Sequence, residues 1–219
     1  MYDISYIKSQ ISLSPRSTDR DGLVCQALEQ LENFEPYTAA HSHRVGSIAG
    51  VIASELGYST TEVRLITASG HLHDIGKVGL SLDALQKPSA LSDEEYLEVQ
   101  KHPELGFEIL KECPALKELI PGVLYHHERF DGGGYPFGLR GDQIPLIARV
   151  IAVADAYDAM TSTRSYRVAM SHQHAIEELE RGRLKQFDPM IIDAALNSTL
   201  DRITSASIDC VKSSLIKTL

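Results

Sequence analysis

Apolar residues recur at helical spacing along most of this chain. Between residues 38 and 56, Val45, Ile48, Ala49, Ile52, Ala53 and Leu56 fall on one stripe, which Gly57 ends. Ser59-Thr60-Thr61-Glu62 has the spacing of a capping box, in which a serine and a glutamate three residues on satisfy each other's free backbone N–H groups. It opens a helix that runs to about Ile75 and is apolar around much of its circumference. Ser92-Asp93-Glu94-Glu95 repeats the signature, and Pro103 suits the first position of a further helix, where a missing N–H costs nothing.

The run IPLIARVIAVADAYDAM at 144–160 is too long for an ordinary strand and reads as a buried helix, its β-branched residues leaving a strand as the minor alternative. ERFDGGGYPFGLRGDQ at 128–143 is dense in glycine and reads as a loop. Residues 1–20 are polar and irregular, with a loop at 14–18, and form an extension or linker remnant; residues 21–219 form one domain whose periodicity breaks from about Pro189. Strand signals are scarce, so the expected fold is an all-α bundle.

Composition narrows the setting. A length of 219 residues with 43 % hydrophobic content suits a single domain with an ordinary core. No apolar run reaches the roughly 18 residues of a membrane span, and MYDISYIKSQ lacks the basic start and apolar stretch of a secretory signal. Cys25, Cys113 and Cys210 are few and lack metal spacing, which fits a reducing cytoplasm. A net charge of −9 argues against broad binding to nucleic acid polymers. It leaves room for a small phosphorylated ligand, because metal ions and a few placed cations can reverse the potential inside a cleft.

Several ionisable residues occupy positions that helical patterning turns inward. His41 shares the stripe of Val45, Ile48 and Ile52; His73 and Asp74 close a largely apolar helix; Asp155 sits within IAVADAYDAM; His102, His126 and His127 stand at helix ends. An unpaired buried carboxylate costs several kcal/mol or takes up a proton, so Asp155 needs a cation or hydrogen-bond donors, and Arg149 is one candidate partner. Taken singly, an inward histidine is usually a hydrogen-bonded core residue. Taken together, imidazoles and carboxylates suit iron, manganese, zinc or nickel, while the absence of cysteine ligands points away from structural zinc. Periodicity alone leaves both readings open.

The surroundings of these residues resemble the HD-GYP family of the HD phosphohydrolase superfamily. The similarity covers about residues 35–190: HSHRV at 41–45, HDIGK at 73–77, KHPELG at 101–106, HHERFDGGGYP at 126–136, ARVIAVADAYDAMTSTRSYR at 148–167 and QFDP at 186–189. A lone HD dipeptide is weak, whereas HDIGK followed by HHE-x-F-DG-x-GYP is very specific.

The resemblance implies an all-helical HD domain with a binuclear metal site that hydrolyses the bacterial messenger cyclic di-GMP in the cytoplasm. It implies two divalent transition metals, iron or manganese. One ion would be held by His41, His73, Asp74 and Asp155, the other by His102, His126 and His127, with Asp74 bridging. Some members add a third metal through a glutamate four residues before the first histidine; here Tyr37 stands there and Glu35 lies off the matching turn, which favours two. Two ions about 3.5–4 Å apart can activate water and polarise phosphoryl oxygens.

Family positions assign phosphate binding to Lys77 and nucleotide binding to Arg164 and Arg167, whose guanidinium forks suit phosphate and guanine edges. Asp158, one turn after Asp155, faces the ligand or supports a metal-bound histidine. Asp131, Gly132, Gly134, Tyr135 and Pro136 make the signature loop, with Asp131, Gly134 and Tyr135 as candidate substrate contacts. Glu128 carries no assigned role. His43, His71, His172 and His174 fall off the ligand positions. The alternatives are a low-turnover cyclic dinucleotide sensor that contacts another signalling protein, such as a diguanylate cyclase, and a hydrolase of a related cyclic dinucleotide. The product is open between the linear dinucleotide and GMP.

Overall fold

The computed structural model describes residues 5, 8, 9, 19–87, 89–163 and 168–198. The expected loop at 14–18, Cys210, Arg164 and Arg167 lie outside the described residues. Among the described residues from Arg20 on, the α-helices are, in order, α1 Arg20–Phe34, α2 Pro36–Glu55, α3 Thr60–Leu72, α4 Leu82–Leu85, α5 Asp93–Val99, α6 His102–Leu110, α7 Ile120–Tyr125, α8 Leu146–Thr161, α9 His172–Arg181 and α10 Pro189–Asn197. Short 3-10 turns occupy Ile75–Gly79, Pro114–Leu119 and Gly141–Gln143. Among the described residues no β-strand forms; Arg183 and Phe187 make one isolated bridge.

Local chemistry sets the helix ends. Both capping boxes are present: Ser59 opens α3 with Glu62, and Ser92 opens α5 with Glu95. Pro103 takes the second helical position, because α6 begins at His102 itself. Residues 146–161 are a helix, and the segment from Pro189, whose periodicity looked broken, is a helix too: the Asp188 side chain accepts from the Met190 N–H at 2.8 Å and caps it. Glu35 closes one helix and opens the next. Its N–H donates to the carbonyl of Leu31 in α1, and its side chain accepts from the Thr38 N–H of α2 at 2.6 Å.

Two apolar clusters build the core. The first joins Leu23, Leu28 and Leu31 of α1 to Leu72, Ile75, Ile109, Leu110, Leu116 and Val123. The second joins Val45, Ile48 and Ile52 of α2 to Val150, Ile151 and Val153 of α8, with Leu179 of α9 and Ile191 of α10. Each fully buried aliphatic side chain contributes on the order of 1.5–3 kcal/mol, enough in sum to hold a polar site between them. Arg149 pairs with Asp142 and Asp188, tying α8 to the start of α10. It is therefore not the partner of Asp155, the role its position suggested.

Candidate metal centre

Five separate stretches bring the inward ionisable residues to one place: α2 supplies His41, the end of α3 supplies His73 and Asp74, the first turn of α6 supplies His102, the residues after α7 supply His126 and His127, and α8 supplies Asp155. Three overlapping groups each hold their ligand atoms within 4.8 Å of one another: His41, His73 and Asp155; His73, Asp74 and His126; and His102, His126 and His127. Asp74 sits between them. Its Oδ2 lies 3.3 Å from His73 Nε2 and 3.8 Å from His41 Nε2, while Oδ1 lies 3.3 Å from His102 Nε2.

The backbone fixes this approach. Asp74 leads into the 3-10 turn at Ile75–Gly79, whose Ile75 and Val78 are locked in the core. A methyl group on Gly76 would lie 1.9 Å from the carbonyl oxygen of His102, so only glycine lets the two segments meet this closely.

Hydrogen bonds to the outer ring nitrogens decide which nitrogen faces inward. His73 Nδ1 meets the Gly70 carbonyl at 2.7 Å, His102 Nδ1 the Val99 carbonyl at 2.7 Å and His126 Nδ1 the Val123 carbonyl at 2.9 Å. His41 Nδ1 meets the Asp158 carboxylate at 2.7 Å. Carbonyls and carboxylates accept, so each Nδ1 carries the proton and each Nε2 of a neutral ring presents a lone pair to the centre.

Burial keeps three of these rings neutral. It holds His102 down at about 3 and His127 at about 4, and it pushes His126 well below the usual histidine range. His41 differs: burial lowers it, but hydrogen bonds to Asp155 and Asp158 outweigh that and raise it to about 9. Burial opposes ionisation of Asp74, yet Lys77 and His73 hold it well below the usual carboxylate range; Asp155 is likewise lowered, against burial, by His41.

The donor set fits a cation on two further counts. His73 Nε2 is buried with no hydrogen-bond partner, a cost of about 1–3 kcal/mol unless something electropositive meets it. His102 Nε2 and His126 Nε2 are 3.2 Å apart, and with both rings neutral and protonated on Nδ1 neither can donate to the other. A core of merely hydrogen-bonded histidines leaves both facts without an explanation.

The centre forms the floor of a cleft of about 520 Å³. Lys77 and Tyr135 line it, as do Glu35, Tyr37, Thr38, Leu85, Gln86, Lys87 and Val99. Lys77 Nζ donates to Asp74 Oδ2 at 2.6 Å. The Tyr135 ring stacks on His127, centroids 4.8 Å apart, and burial raises its phenol above the ordinary range.

Three expected substrate contacts stand elsewhere. Asp158 is buried behind His41, with Arg44 Nε on its Oδ1 at 2.6 Å and Arg44 Nη2 on its Oδ2 at 3.0 Å, so it backs a histidine rather than facing the cleft. Asp131 pairs with Arg129 and accepts from the Gly133 N–H at 3.0 Å, which shapes the loop. Gly134 packs on its own chain: a methyl there would lie 2.3 Å from the nitrogen of Arg129.

Sequence reasoning missed Arg44, although its place three residues after His41 in HSHRV put it on the same helical face. It also left Glu128 without a role. That carboxylate accepts from the Phe137 N–H at 2.7 Å and the Leu139 N–H at 2.9 Å and fastens the loop after His127.

Comparison with known proteins agrees with the geometry. The family described as "HD domain" matches residues 26–191. The cyclic di-GMP phosphodiesterase response regulator RpfG of Xanthomonas campestris is 42 % identical over 163 residues, covering 73 % of this chain and 43 % of that protein. The 3'3'-cGAMP-specific phosphodiesterase 3 of Vibrio cholerae is 38 % identical over 172 residues, covering 77 % of this chain and 37 % of that protein. The chain thus spans less than half the length of these two relatives. Bd1817, an HDG"Y"P protein from Bdellovibrio bacteriovorus, shares the fold with a TM-score of 0.65 at 18 % identity, covering 88 % of this chain and 67 % of that one. With its tandem His73-Asp74 and intact GYP sequence, the chain belongs to the HD domain family, in its HD-GYP branch.

Proposed function

We propose that this chain is a metal-dependent phosphodiesterase that hydrolyses cyclic di-GMP, and that it works with two divalent transition metal ions, iron or manganese. One observation carries the reading: the two oxygens of Asp74 face different sets of imidazoles, His41 and His73 on one side and His102 on the other. The names of the relatives support the substrate class, a cyclic dinucleotide. His41, His73, Asp74 and Asp155 would hold one ion, and His102, His126 and His127 the other, with Asp74 shared.

When bound, such ions supply Lewis acidity to the phosphoryl oxygens and lower the pKa of water. The residues of the chain do the rest. Asp74 stays ionised at the centre, and Lys77, which donates to it from the lining of the cleft, is proposed to bind the phosphate. Tyr135 covers one face of His127 and walls that side of the cleft against water. Water oxygen joins phosphorus, the bond from phosphorus to the ribose 3′ oxygen breaks, and that oxygen takes a proton. One such step opens the ring to the linear dinucleotide; a second gives GMP. Arg164 and Arg167 are proposed to contact the nucleotide, and a diguanylate cyclase is the proposed protein partner in the cytoplasm.

The test is incubation of anaerobically purified protein, loaded with iron(II) or manganese(II), with cyclic di-GMP, and chromatography of the products. Linear dinucleotide or GMP that is absent with Asp74→Ala is the expected result. No product from protein holding two metals overturns the proposal for this substrate. Product from 3'3'-cGAMP alone would move the specificity to that related dinucleotide.

A further inference from the structure

Leu184 stands in left-handed backbone, with φ 62°, and 63 % of its surface is exposed. A Cβ in that conformation crowds the backbone, a cost that glycine avoids. The turn imposes it: the Leu184 N–H donates to the Phe187 carbonyl at 3.0 Å, while the N–H groups of Lys185, Gln186 and Phe187 converge on the Gly182 carbonyl. The strain holds an apolar side chain out in water, where no packing within the chain offsets it.

The surface beside Leu184 is apolar and cationic. The Phe130 N–H donates to the Gln186 carbonyl at 3.2 Å and the Asp131 N–H to the Lys185 carbonyl at 2.7 Å, and the Gly141 N–H donates to the Phe130 carbonyl at 3.0 Å. These bonds lay residues 137–141 and the Leu184 turn against one stretch of chain. Phe137 is 58 % exposed. Asp131 is matched by Arg129, whereas the exposed Lys185 and Arg140 form no ion pair among the described residues. A cationic face of this kind stands out on a chain of net charge −9.

The helix α5 presents the converse. None of its residues is buried, and Tyr96 and Leu97 are 52 % and 60 % exposed. Asp93 and Glu94 precede Leu97 by four and three residues, so they share its side of the helix. Lys87 and Lys101 take up Glu95 and Glu98, while Asp93 and Glu94 form no ion pair among the described residues.

We infer that the Leu184 face and α5 are the two halves of a contact between copies of this chain. Leu184 and Phe137 of one copy cover Tyr96 and Leu97 of a second, and Lys185 and Arg140 meet Asp93 and Glu94. The inference does not depend on the proposed reaction. Burial of the four apolar side chains supplies affinity, and the charges select the partner face and its register. Acidic chains repel one another in most orientations; this face lets two copies meet in one. The halves differ, so a single contact leaves one free half on each copy, which a two-fold pair or a ring satisfies.

Light scattering after size exclusion, run on the metal-loaded full chain from about 1 to about 100 μM, reads the association, since interfaces of ordinary size bind at micromolar Kd or tighter. A molar mass rising above that of the monomer is expected. Leu184→Asp and Leu97→Asp should each weaken association at least about 10-fold, the loss of one apolar anchor. An equimolar mixture of those two variants should recover a 1:1 dimer, because each keeps the half that the other lost. Leu184→Gly relieves the backbone, so it should weaken association while raising the unfolding midpoint of the dilute protein by about 2–4 °C. A monomer throughout the range, unchanged association in either Asp variant, no recovery on mixing, or a lower unfolding midpoint in Leu184→Gly each overturns the inference.

Discussion

Asp158 accepts from His41 Nδ1 at 2.7 Å while Arg44 grips both of its oxygens, so a residue that never reaches the cleft sets the ring that does. Removing that acceptor frees the imidazole to rotate or to change tautomer. Asp158→Ala is expected to weaken metal binding on the His41 side about 10- to 100-fold and to spare an ion held by His102, His126 and His127. Titration of metal-free protein with manganese(II), counting sites by affinity, checks this. Equal loss at both sites would show that Asp158 supports the fold in general.

Gly76 separates the two ligand segments by no more than a hydrogen atom. Gly76→Ala must push the His102 backbone away from Asp74, since its methyl would sit 1.9 Å from a carbonyl oxygen. The expected result is a loss of at least about 1–3 kcal/mol of stability, as for overpacking in a core, together with loss of one metal equivalent. Thermal unfolding and metal analysis of the same sample test it. A full complement of metal in a stable Gly76→Ala protein would refute the account of how these segments meet.

The metal-free protein should be most stable near pH 6.5. Burial holds His71, His102 and His127 at about 4, 3 and 4, below the 6.5 of an unperturbed histidine. Between those values the unfolded chain binds more protons, so stability falls as the pH drops from about 6.5 towards 4, by a few kcal/mol in total. His41 acts in the opposite sense. Although burial lowers it, Asp155 and Asp158 raise it to about 9, so its contribution is complete below 6.5 and fades as the pH rises through 9. Denaturant midpoints at pH 4.5, 6.5 and 9 give the profile; a midpoint at 4.5 equal to that at 6.5 contradicts it.

Glu128 fastens the loop that carries Tyr135. Glu128→Ala leaves the N–H groups of Phe137 and Leu139 unpaired and is expected to cost about 1–3 kcal/mol. The loop should also loosen, with faster amide exchange at those two residues than in Glu128→Gln, which keeps one acceptor. Indistinguishable exchange in the natural and Ala proteins would remove the loop-fastening role.

Much of the fold was legible because its signals are local. Ser59 and Glu62 sit three residues apart in sequence and in the capping box alike, and a helical period shows where His41 must point. The seven candidate ligands were legible only through motifs, since their convergence is a property of packing. What sequence hid was long-range or dual in purpose. Arg44 and Asp158 lie 114 residues apart, and no periodicity announces that pair. Arg149 is one candidate partner for Asp155 in the sequence, but packing turns it towards Asp188. Spacing from His41 says only that Glu35 lies off the matching turn, whereas its position follows from capping α2.

The residues of the centre come from stretches as distant as α2 and α8; His41 and the Asp158 behind it are 117 residues apart. Ions seated there would act as removable cross-links, closing long loops that the unfolded chain leaves open. The entropic cost of such closure grows only slowly with loop length, while each ion gained adds its full binding free energy to folding. Metal supply would then govern the lifetime of the protein against proteolysis as well as its chemistry.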